Sequence, residues 1–185
     1  MTSVLVAGIG NIFNGDDAFG VEVVRLLVQR SLPAGVKVID FGIRGVDLTY
    51  ALLDGYSAAV LVDAAQRGEQ PGTISVVEPE PDEAGVASPE DLVLSPHELD
   101  PAKVLRLVAA LGGTCKRVLL VACEPLTFGG EGGVMGLSEP VAAALGAAVK
   151  TVEDLVAELT DAGNREAPTL IVQGIYRSTQ EGVKP

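Results

Sequence analysis

Apolar residues fall in short runs over the first 160 positions, and the spacing inside the runs alternates between two periods. Ser3–Gly8 (SVLVAG) is β-branched and ends in glycine, the pattern of a short strand. From Asp17 to Ser31 (DAFGVEVVRLLVQRS) the apolar positions recur at helical spacing, with Phe19, Val23, Leu26 and Leu27 on one face and Val21, Val24 and Val28 beside it. Val36–Phe41 (VKVIDF) reads as a second strand. Strand, helix and strand within about forty residues predict a βαβ unit, hence a parallel pair with a right-handed crossover.

The alternation continues along the chain. Arg44–Asp54 is a short helix, and Ala58–Asp63 (AAVLVD) is almost continuously apolar, as a strand covered on both faces should be. Thr73–Glu78 and Arg117–Cys123 read as strands, Asp100–Leu111 as a helix, and Glu139–Leu159 as a long alanine-rich helix. The expected fold is α/β: a single domain over residues 1–159, with a twisted, mostly parallel sheet and helices on both faces. Glu78–Asp91 interrupts the rhythm with six acids, three prolines and no base, and reads as a solvated surface loop. Residues 160–185 begin polar, include TLIVQGIY, and form a C-terminal extension to which no role is assigned.

Composition narrows the function. A chain of 185 residues that is 48% hydrophobic and 21% charged suits a globular domain. Its net charge of −12 repels nucleic acid and anionic membranes, so neither is an expected partner. No apolar run reaches the ~18 residues of a membrane span, and the N-terminus lacks the basic region of a secretion signal. Cys115 and Cys123 have no CxxC spacing, which predicts neither disulfide framework nor zinc ribbon and fits a reducing cytoplasm.

The loop after the first strand, GIGNIFNGDD, poses the chemical question. A dinucleotide fingerprint needs a third glycine where Phe13 stands, and a P-loop needs a lysine that is missing. Asp16 and Asp17 would also repel phosphate from the following helix. The acidic pair reads either as a helix cap or as a ligand-bearing turn. Asp63 closes the AAVLVD strand, and so falls on the carboxyl edge of a parallel sheet, where open α/β folds bind ligands; Asp17 follows the first strand onto that edge. His97, the only histidine, stands near a helix entrance in SPHELDP. Added to two carboxylates, it completes an oxygen, oxygen, nitrogen set suited to nickel or zinc with open positions. No G-x-S-x-G or H-E-x-x-H occurs, and Cys123, at the end of a strand, reads as a small buried thiol rather than a nucleophile.

GIGNIFNGDDAFG (Gly8–Gly20), LVDA (Leu61–Ala64) and SPHEL (Ser95–Leu99) stand in the order and spacing found in the endopeptidases that mature nickel-iron hydrogenases. From Ser3 to about Leu159 the chain resembles that family. The resemblance implies a hydrolase that removes a short C-terminal peptide from the hydrogenase large-subunit precursor after nickel insertion. It implies that nickel, supplied by the substrate, is contacted by Asp17, Asp63 and His97. Nickel would polarise the scissile carbonyl or activate a water; alternatively a carboxylate, with Asp16 the candidate general base, does the proton work while nickel positions the peptide. Many relatives carry Gly-Gly-Thr after the second strand, where this chain has Asp40-Phe41-Gly42-Ile43-Arg44-Gly45. Asp40, Gly42 and Arg44 are therefore candidate substrate contacts, and the departure leaves substrate identity open. Two other readings stand beside the endopeptidase: a nickel- or hydrogenase-binding assembly module that does not cut, and a metal-dependent hydrolase of small substrates.

Overall fold

A computed structural model describes residues 2–78, 101–113, 115, 117–130 and 132–162. The apolar runs become β1 (Val4–Ile9), α1 (Phe19–Leu27), β2 (Val36–Gly42), α2 (Gly45–Leu53), β3 (Ala58–Ala64), β4 (Ile74–Val77), α3 (Pro101–Ala110), β5 (Arg117–Cys123) and α4 (Glu139–Ala162). Five strands make one sheet in the order β2-β1-β3-β5-β4. Four of them are parallel, and β4 runs antiparallel to β5 at the edge. Arg117 fastens that edge by donating Nε and Nη2 to the two carboxylate oxygens of Glu78 at 2.7 and 2.9 Å.

Side chains of the central strands alternate between two cores, as the two-residue period of a strand requires. Val4, Val6, Val60, Val62 and Val121 pack with Phe19, Val23 and Leu27 of α1 and with Val149, Val152 and Val156 of α4. Leu5, Ala7, Ile9, Leu61 and Leu120 pack on the other face with Leu48 and Leu52 of α2 and Val108 of α3. The crossovers β1-α1-β2 and β2-α2-β3 run in opposite directions across the sheet. Right-handedness therefore puts their helices on opposite faces. The chain reverses its winding between β1 and β3, the kind of switch point at whose carboxyl edge open α/β sheets bind ligands.

The first helix starts later than its apolar spacing predicts. Gly15–Ala18 is a 3-10 turn, α1 begins at Phe19, and neither end of the turn carries a side-chain cap. Two glycines make this tight entry possible. A Cβ at Gly10, whose φ is +127°, would lie 1.7 Å from the Asp17 carbonyl oxygen; one at Gly20 would lie 2.0 Å from the Val62 oxygen. The glycines of the loop thus serve backbone packing rather than a phosphate. The acidic stretch beyond Glu78, His97, and TLIVQGIY lie outside the described residues. Among the described residues no helix is long and apolar enough to cross a membrane.

Candidate active site

Strand β1 delivers Asp16 and Asp17 to the switch point through the 3-10 turn, and β3 delivers Asp63 to the same edge. All three carboxylates are buried. Asp63 accepts from its neighbour's amide, Ala64 N, at 2.9 Å. Burial pushes its carboxyl well above the ordinary value, and the Asp17 charge pushes it further, while the Ala64 bond opposes both. Asp17 and Asp63 are therefore close enough to repel. Two buried carboxylates in mutual repulsion are a donor pair that a cation relieves.

Asp17 is held from its own loop. Its Oδ2 accepts from the Asn11 amide and from Asn14 Nδ2, both at 3.2 Å. Asn11 in turn accepts from Phe13 N at 3.0 Å, closing the turn.

Asp16 has a different environment from its neighbour. Its Oδ2 accepts from Leu126 N at 2.8 Å, Thr127 N at 3.1 Å and Ser138 Oγ at 2.9 Å, and its Oδ1 from Ser138 N at 2.6 Å. A carboxylate offers about two acceptor sites on each oxygen; here three donors crowd Oδ2 and one reaches Oδ1. Asp16 is fully buried and meets these protein donors rather than solvent.

The remaining candidates occupy the same rim. Asp40 and Gly42 end β2 beside β1, at a register shift where the Gly42 carbonyl accepts from Gly10 N at 3.0 Å. Asp40 is exposed. Arg44 folds back: its Nε donates to the Phe41 carbonyl at 3.1 Å, its Nη2 to the Asp40 carbonyl, and its Nη1 faces Asp47 at 3.5 Å. Among the described residues no group of three His, Cys, Asp or Glu side chains is placed to hold a metal, so Asp17 and Asp63 make an incomplete set there. Both cysteines are buried, with burial the leading cause that pushes Cys115 up to about 11 and Cys123 up to about 12, as inert thiols should be. Phe13 and Met135 stand 59% and 73% exposed in the loops that follow β1 and β5, an apolar margin to an acidic site.

Asn14, Gly129 and Ser138 are the residues that sequence reasoning missed. Ser138, preceding an alanine-rich helix, carries the sequence signal of an ordinary N-cap, which hides its bond to Asp16.

Residues 21–155 match the model of a family described as hydrogenase maturation protease. The chain belongs to the hydrogenase maturation protease family. It is 31% identical over 157 residues to the hydrogenase expression/formation protein HoxM of Azotobacter vinelandii, covering 84% of this chain and 73% of that protein. Its fold is similar to that of the hydrogenase maturating endopeptidase HybD from E. coli, with a TM-score of 0.66 and 26% identity over 85% of this chain and 93% of the other. It is also similar to the hydrogenase 2 maturation peptidase of Thaumarchaeota archaeon SCGC_AB-539-E09, with a TM-score of 0.63 and 31% identity over 84% and 99% of the two chains. A maturation protease is a peptidase, so the buried carboxylates at the switch point sit where a hydrolytic site is expected.

Proposed function

We propose that this peptidase removes the C-terminal peptide of a nickel-iron hydrogenase large-subunit precursor, and that Asp17, Asp63 and His97 read the nickel which the precursor already carries. The observation that carries the reading is the repulsion between Asp17 and Asp63, two enclosed carboxylates at the crevice of the sheet. A proton on Asp63 or a bound cation offsets such a pair, and oxygen donors with one imidazole suit a borderline divalent ion. The nickel is part of the substrate, so its presence would license cleavage. Bound there, it supplies Lewis-acid polarisation.

This chain's residues do the rest. Asn11 and Asn14 hold the Asp17 carboxylate, and the Ala64 amide holds that of Asp63, so the pair is ordered before the substrate arrives. Asp40 and Gly42, on the next strand of the rim, are proposed to contact the peptide.

The test incubates the protein with nickel-loaded and nickel-free large-subunit precursor and follows the precursor's mass. Loss of a C-terminal peptide from the loaded form alone is expected. Binding without mass loss would favour an assembly module, and indifference to the precursor would favour a small-substrate hydrolase.

A further inference from the structure

Adjacent aspartates at positions 16 and 17 divide into two roles. The four hydrogen bonds to the Asp16 carboxylate all come from residues 126, 127 and 138, more than a hundred positions away in sequence. That segment returns to the first loop on both sides of Asn14. Gly15 N donates to the Val134 carbonyl at 2.7 Å, Val134 N donates to the Phe13 carbonyl at 3.0 Å, and Asn14 and Val134 pair as a parallel bridge. Gly129 backs the Asn14 side chain so closely that a Cβ there would stand 2.9 Å from Asn14 Oδ1. The other end of the same amide, Nδ2, donates to Asp17 Oδ2.

We propose that Asp16 is a positioning residue, which clamps the glycine-rich segment onto Asn14 so that Asn14 keeps the Asp17 carboxylate aimed at the substrate. The proposal rests on the role given to Asp17 above. A buried charge with four donors is a rigid anchor, since each bond to a carboxylate is shorter and stronger than a neutral one. Gly129, with a φ of +63°, lets the segment approach where any side chain would push the amide away. Misplacing a catalytic group by about 1 Å can cost up to roughly 100-fold in rate. The clamp therefore acts on turnover, whereas a purely structural anchor would act on the amount of folded protein.

The experiment measures kcat and KM for cleavage of the nickel-loaded precursor by Asp16→Asn, Asn14→Ala and the double variant, each corrected for its folded fraction. Each single change is expected to lower kcat roughly 10- to 100-fold with KM nearly unchanged, and the double variant to match the worse single, because both act through one chain of contacts. Should Asp16→Asn fail to fold, Gly129→Ala takes its place in the cycle. Losses that multiply in the double variant, or normal kcat in Asn14→Ala, would overturn the proposal. NMR of the Asn14 side-chain amide gives a readout independent of cleavage. A shifted resonance in Asp16→Asn or Gly129→Ala is expected, and an unmoved one overturns the clamp. If the unaltered protein does not cleave the precursor, the assigned function fails, and the amide resonance still decides whether Asp16 positions Asn14.

Discussion

Asp63 and Asp17 are buried neighbours that repel each other: enclosure and then the Asp17 charge raise the Asp63 carboxyl well above its ordinary range. Enclosing two like charges costs the fold stability, which makes the pair a candidate for function.

Asp63→Asn should therefore stabilise the metal-free protein while abolishing cleavage. The folded state binds the Asp63 proton more tightly than the unfolded chain does, so stability falls as pH rises above the unfolded value of about 4 towards the raised folded value. Below that window the penalty vanishes; above it the full penalty stays. The variant's advantage should be near zero at pH 4 and largest at neutral pH, where a gain of about 1 kcal/mol would raise the melting temperature by roughly 2–4 °C. Thermal melts across that range check it. A variant that melts earlier at pH 7 would mean the carboxylate stabilises the fold.

Gly20→Ala should disrupt the switch point. The alanine keeps helical geometry, but its Cβ would meet the Val62 and Ile9 carbonyl oxygens at 2.0 and 2.4 Å, both on the backbone. A loss of roughly 3 kcal/mol or more is expected. Gly146→Ala in α4 meets nothing within 4 Å and should instead gain about 0.5–1 kcal/mol. Urea unfolding of the two variants compares them directly.

The parallel frame was legible because the buried strands are continuous apolar runs, and the edge was legible because Asp17 and Asp63 each follow such a run. The direction of β4 was not, since four half-covered residues carry no signal of which way they pair. Nor could the sequence separate Asp16 from Asp17. The two have the same chemistry and adjacent numbers, and what distinguishes them is a set of donors at 126, 127 and 138 that only folding brings near. The helix start was misplaced for a related reason: a 3-10 turn occupies the positions that resemble a capped first turn. Asp40 and Gly42 end β2, and Arg44 spends its guanidinium on carbonyls of its own loop and on Asp47.

The cysteines should take no part in the reaction. Cys123 lies at the end of β5 with its thiol pushed up to about 12 by burial and by the Asp16 and Glu124 charges, so almost no thiolate forms at neutral pH. Native protein treated with iodoacetamide at pH 8 should keep its full cleavage rate, and mass spectrometry should find Cys123 unmodified until denaturant is added. Rapid loss of activity on alkylation would restore the thiol as a candidate.

The most direct measurement is nickel X-ray absorption on the nickel-loaded precursor, alone and frozen rapidly after mixing with this protein. The account predicts new oxygen or nitrogen neighbours at about 2.0–2.2 Å on mixing, and their loss with Asp17→Asn or Asp63→Asn. A nickel spectrum unchanged by the unaltered protein while cleavage proceeds would contradict it.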